Sequence, residues 1–108
     1  MQNLKSESED ILYFIEKFKF LEKVTIEKLF TTGNCYYFSI ILKERFKDGK
    51  IYYLPIANHF VLKYNGKFYD VCGEYGTNEK AYDWEDFKKQ NVSLSKKIER
   101  DCINFETR

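Results

Sequence analysis

The sequence predicts an α+β domain, with N-terminal helices, a small antiparallel sheet and a cysteine at the N-terminus of a helix. Three observations predict it. From Ser8 to Lys23, apolar side chains recur at three- and four-residue steps, the helical period. The segments "HFVLKY" and "KFYDVC" flank Asn65-Gly66, the strongest short-range hairpin signal. Cys35 follows Gly33-Asn34 and opens an apolar, helical-looking run. The chain has 108 residues, 44% of them apolar, which suits one domain with a single modest core.

Each element has its own signal. In the first helix, Ser8 is a suitable cap, and Glu9 and Asp10 favour the first turn. Its stripe runs through Ile11, Phe14, Ile15, Phe18 and Leu21 or Glu22. A short second helix is expected from Thr25 to Phe30, with Ile26, Leu29 and Phe30 inward. Thr31 to Asn34 form a turn, in which Gly33 takes a shape other residues resist. The third helix spans Cys35 to Phe46 and buries Phe38, Ile41, Leu42 and Phe46. Gly49 is read as punctuation after it.

Strands follow. Ile51 to Leu54 is short and rich in strand formers, and Pro55 to Asn58 is a connection. A two-residue turn at Asn65-Gly66 sets Tyr64 opposite Lys67, Leu62 opposite Tyr69 and Val61 opposite Asp70. His59, Val61, Lys63, Phe68, Asp70 and Cys72 then share one face. Gly73 to Ala81 reads as a long loop, and Tyr82 to Gln90 as a short helix. Ser93 to Phe105 fits a helix or an irregular strand region. No repeat, low-complexity tract or linker divides the chain.

Composition excludes several classes. The formal charge is +1, which gives no support for a nucleic-acid partner held by bulk charge. No apolar run approaches membrane-spanning length. The first ten residues are polar and acidic, unlike a secretory leader. Three cysteines, an odd number, suit a reducing compartment, so a cytoplasmic location is expected. One histidine, with no C-x-x-C pair, is too few ligands for structural zinc; neither a metal nor a cofactor is expected.

The chemistry-bearing residues are Cys35, His59 and Asp70. A free thiol ionises near pH 8.5, but a helix N-terminus and a nearby imidazolium lower that to roughly 3.5–7.5. The N–H groups that stabilise a thiolate there also suit an oxyanion. His59 is the only histidine, and so the only imidazole base available. In the expected register Asp70 lies diagonally from His59, at about 7–8 Å, within side-chain reach. A carboxylate there can hold one ring nitrogen and leave the other for the thiol. Glu74 is a reserve for the acidic position. Asn34 and Asn58 suit either turns or supporting amide contacts. Cys72 shares the His59 face but lies far along the hairpin, and Cys102 reads as core.

The stretch "GNCYYFSIILKERF … NHFVLKYNGKFYDVCG" resembles the papain-like and transglutaminase-like cysteine peptidase superfamily in minimal form, as in small phage or bacterial members. The resemblance covers Gly33 to Gly73. It implies a nucleophile, Cys35, at the start of a helix packed on an antiparallel sheet. It further implies His59 as general base and acid and Asp70 as the orienting residue. Leu29 stands near the place of the family's upstream glutamine, and Tyr36 replaces the tryptophan after the cysteine.

The expected function is therefore cysteine-dependent acyl transfer. Hydrolysis of a peptide, isopeptide or side-chain amide bond through a thioester is the default, with a protein or peptide as substrate. The alternative is a catalytically inactive binding module or inhibitor on the same fold. Tyr36, Tyr37, Tyr52, Tyr53, Tyr75 and Tyr82 would then supply a recognition surface.

Overall fold

The turn at Asn65-Gly66 organises the sheet. Asn65 has φ 55° and Gly66 φ 81°, so both central residues are left-handed, as the tight hairpin turn requires. It joins β2 (His59–Tyr64) to β3 (Lys67–Asp70). Leu62 pairs with Tyr69, Lys63 with Phe68 and Tyr64 with Lys67, the register the sequence predicts. The computed structural model describes residues 7–31 and 34–104, with side chains described over 10–31 and 34–100. The expected roles of Gly33 and of the Cys102 side chain lie outside those residues.

Five antiparallel strands build one sheet, in the order β4-β3-β2-β1-β5. β1 (Lys50–Leu54) pairs Tyr53 with Phe60 and Leu54 with His59. Two short strands replace expected non-strand structure. β4 (Gly73–Tyr75) occupies the start of the expected loop, because Gly73, at φ 113°, lets the chain reverse and pair with Asp70. β5 (Tyr82–Asp83) occupies the start of an expected helix. That helix, α4 (Trp84–Gln90), begins only after Asp83, whose Oδ1 accepts from Glu85 N at 3.0 Å and Asp86 N at 3.3 Å.

Helices cover one face of the sheet. α1 (Glu7–Phe18) and α3 (Cys35–Arg45) bury Ile11, Ile15, Phe38 and Leu42 against Leu62, Tyr69 and Val71. A fully buried leucine such as Leu42 contributes about 1.5–3 kcal/mol by leaving water. A second cluster holds Cys35, Tyr53, Phe60 and Trp84. α5 (Val92–Asn104) is tied to it by Glu99, whose Oε2 accepts from Tyr36 Oη at 3.1 Å and Trp84 Nε1 at 3.2 Å. Burial, then the Glu99 carboxylate, pushes the Tyr36 phenol up to about 12. None of these helices is long and apolar enough to cross a membrane.

The α1 stripe ends earlier than the sequence period suggests. The chain turns at Lys19, and Leu21 is left 83% exposed. Lys19 Nζ is buried against Glu27 of α2 (Lys23–Leu29) at 2.7 Å and Glu16 at 3.5 Å. That ion pair ties α2 to the turn that follows α1. Burial works against the Lys19 charge, but the hydrogen bond to Glu27 and the charges of Glu16 and Glu27 raise its pKa on balance. Ile26 and Phe30 pack on the core as expected, while Leu29 is exposed.

Two tests follow from this packing. Gly49 sits close under the sheet rather than in a left-handed conformation: a Cβ there would stand 2.7 Å from Leu62 Cδ2. Gly49→Ala is expected to cost about 1–3 kcal/mol in denaturant unfolding, because Leu62 must move within a packed core. The hydrogen bond from Lys19 holds Glu27 below its ordinary pKa of 4.5. A lowered carboxylate stabilises the fold above its unfolded pKa, and the gain is lost as pH falls through the folded value. Glu27→Gln is therefore expected to lower the melting temperature at pH 7. The gap from wild type should close on acidification below pH 4.5.

Candidate active site

His59 and Asp70 pair as expected. His59 Nε2 lies 2.9 Å from Asp70 Oδ2, and the two side chains are 13% and 9% exposed. The carboxylate accepts in this bond, so in the neutral ring the proton sits on Nε2 and Nδ1 is left as an acceptor. Asp70 is itself held, because its Oδ1 accepts from the Cys72 backbone N–H at 2.8 Å. The hairpin register produces this pairing. Asp70 ends β3 and His59 begins β2, so both sit at the same end of the sheet.

Tyr75 closes one side of the imidazole, with ring centroids 5.1 Å apart. β4 brings it there by pairing Tyr75 with Phe68 on the face that carries His59 and Asp70. Burial, then the charges of Asp70 and Glu79, raise the Tyr75 phenol. This face is well covered elsewhere too. Leu54 and Val61 are fully buried, and Tyr52 packs on Phe68 with Lys63 over both rings.

Cys35 is the first residue of α3, as predicted, and only 7% exposed. It belongs to the cluster of Tyr53, Phe60 and Trp84. Phe60 follows His59 directly, so Cys35 lies beside the beginning of β2. Phe60 packs with Cys35, Tyr53 and Trp84 on the helix side, and the residue before it, His59, is held by Asp70. The structure thus joins His59 to Asp70, and sets Cys35 against the residue next to His59.

The supporting candidates divide clearly. Asn34 Nδ2 donates to Leu29 O at 3.3 Å, which ties the start of α3 to the end of α2. Asn58 adopts φ 53°, and its Oδ1 accepts from Tyr53 Oη at 2.8 Å. Both amides are thus occupied in holding turns. Glu74 pairs with Lys67 at 3.8 Å and sits opposite Tyr69, so it has no part in the His59–Asp70 bond. The sequence singles out Tyr75 only as a recognition-surface tyrosine, and Glu79 not at all. Tyr75 needed the β4 pairing to be seen, and that strand has only three residues. Among the described residues, no group of three His, Cys, Asp or Glu side chains converges as a metal site.

Of the six tyrosines suited to a recognition surface, Tyr37 and Tyr82 are the exposed ones, at 42% and 37%. Tyr53 is core, and Tyr36 spends its hydroxyl on Glu99.

Comparison with known families finds a match over most of the chain. The family model described as phage YunG-like protein matches residues 13–105. No curated protein and no solved structure matches the chain.

The two described thiols should differ in reactivity. Burial, then the Asp70 charge, raises the Cys72 thiol above its ordinary 9.0, although the residue is exposed. Slow alkylation of Cys72 at pH 7, with acceleration only above pH 9.0, is the expected result in mass-spectrometric mapping. Rapid modification of Cys72 at neutral pH would contradict that electrostatic picture.

Proposed function

We propose that this chain, which belongs to the phage YunG-like family, carries out cysteine-dependent acyl transfer with Cys35 as nucleophile, His59 as base and acid, and Asp70 as the residue that orients His59. The observation that carries this reading is the 2.9 Å bond from His59 Nε2 to Asp70 Oδ2, at the end of the sheet where α3 begins with Cys35. The likeness in pattern to papain-like and transglutaminase-like peptidases supports the same assignment of roles.

The steps balance as follows. His59 Nδ1 takes the thiol proton, and Cys35 Sγ attacks an amide carbonyl carbon. The first turn of α3 offers backbone N–H groups to the oxyanion. This role falls to the backbone because the Asn34 amide is engaged with Leu29. The C–N bond breaks, and the imidazolium gives its proton to the leaving amine. Water then loses a proton to Nδ1 and attacks the thioester. The carboxylic acid leaves and the thiol is restored. Throughout, Asp70 keeps the ring in one tautomer and stabilises its positive charge. The reading requires Sγ to meet Nδ1 around the first residue of β2, where the strand alternation begins.

A binding role without catalysis draws on a different observation. The α1–α2 turn exposes Phe20, Leu21 and Val24, at 74%, 83% and 78%. Such apolar exposure is a feature of contact surfaces. It lies apart from the His59–Asp70 pair in the sequence and needs no thiol.

A thiol-reactive acyl probe separates the two. Catalysis predicts preferential labelling of Cys35 at pH 7, abolished in Cys35→Ala. In His59→Ala the rate should fall roughly 10²–10⁴-fold, the usual range for a positioned base. Equal labelling in wild type and His59→Ala would leave the binding role as the better account.

A further inference from the structure

The turn that delivers His59 has almost nothing apolar to hold it. Pro55, Ile56, Ala57 and Asn58 are all exposed, with Ile56 at 86%. Asn58 also takes a left-handed conformation, at φ 53°, immediately before His59. A turn of this kind is expected to wander unless polar contacts fix it.

Two such contacts fix it, both from outside the turn. Tyr53 Oη donates to Asn58 Oδ1 at 2.8 Å. Glu79, more than twenty residues further along the chain, turns its carboxylate to the tip. Its Oε1 accepts from Ile56 N at 2.9 Å and its Oε2 from Ala57 N at 3.1 Å. Successive N–H groups aimed at one carboxylate make a strong, directional clamp. Glu79 is in turn set by its own N–H, which donates to Thr77 Oγ1 at 3.1 Å. The segment carrying Glu79 leaves directly from β4, whose last residue, Tyr75, lies against the His59 ring. One stretch of chain therefore touches the imidazole at one end and clamps the turn before it at the other.

We infer that Glu79 is a positioning residue for His59: its carboxylate fixes the Pro55–Asn58 turn, and through it the place of the imidazole. This inference rests on the catalytic reading above for its consequence, but the hold on His59 is a separate physical claim.

The test uses the full chain with Glu79→Ala and Glu79→Gln. Glutamine keeps one acceptor oxygen and can satisfy one of the two N–H groups, so its effect should be intermediate. Because His59 is the only histidine, its Nε2–H proton gives a single assignable resonance. The expected result is faster solvent exchange of that proton, by roughly tenfold or more in Glu79→Ala and less in Glu79→Gln, with cooperative thermal melting retained. The labelling rate of Cys35 is then followed from pH 6 to pH 10. It should fall roughly tenfold in Glu79→Ala at neutral pH, where the base matters, and match wild type once the thiol ionises unaided. General loosening of the fold would instead change the rate at every pH. Unchanged exchange of the Nε2–H proton in both variants would overturn the inference. So would a Cys35 rate altered equally at pH 7 and pH 10. If His59→Ala labels like wild type, the catalytic reading fails, and the exchange measurement alone still decides whether Glu79 holds His59.

Discussion

A shift of β3 by one residue along β2 would turn Tyr69 out of the core and move Asp70 away from His59. Both consequences hang on the same hydrogen-bond ladder. The left-handed pair Asn65-Gly66 fixes where the ladder starts. Phe38, Leu42 and Phe46 penalise any slip, because they pack on the side chains that would leave. The apolar core thereby enforces a polar geometry at one end of the sheet. The His59–Asp70 bond is a by-product of burying Leu62 and Tyr69 correctly.

Around that bond the chain spends its polar groups on position rather than on charge. Asp70 is anchored by the Cys72 N–H, the Pro55–Asn58 turn by Glu79 and Tyr53, and α4 by its Asp83 cap. Each bond ties down a turn or the end of an element. Where a buried charge pairs, as Lys19 does with Glu27, it ties a helix to the turn before it. The net charge of +1 is consistent with electrostatics that act locally.

Much of this was legible in the sequence, for identifiable reasons. The hairpin was readable because Asn-Gly between alternating segments has few other solutions. The α3 stripe was readable because Phe38, Leu42 and Phe46 follow the helical period without a competing pattern. His59 and Asp70 could be paired because register follows from the turn. β4 and β5 were not legible: with three residues and two, neither shows a period. The period extends the α1 stripe to Leu21 or Glu22, because periodicity does not register where a helix stops. Gly49 looked like a helix terminator, whereas its use is to let Leu62 approach, a contact between distant segments. Glu79 carried no signal at all, since a loop glutamate becomes informative only when the N–H groups it meets are known.

As proposed, Asp70 holds His59 in the Nε2–H tautomer and Nδ1 serves Cys35. Nitrogen-15 spectra of the single imidazole at neutral pH are expected to show that tautomer, with an Nδ1 signal that shifts when Cys35 is replaced by alanine. A proton on Nδ1, or an Nδ1 signal indifferent to the loss of the thiol, would contradict the proposal.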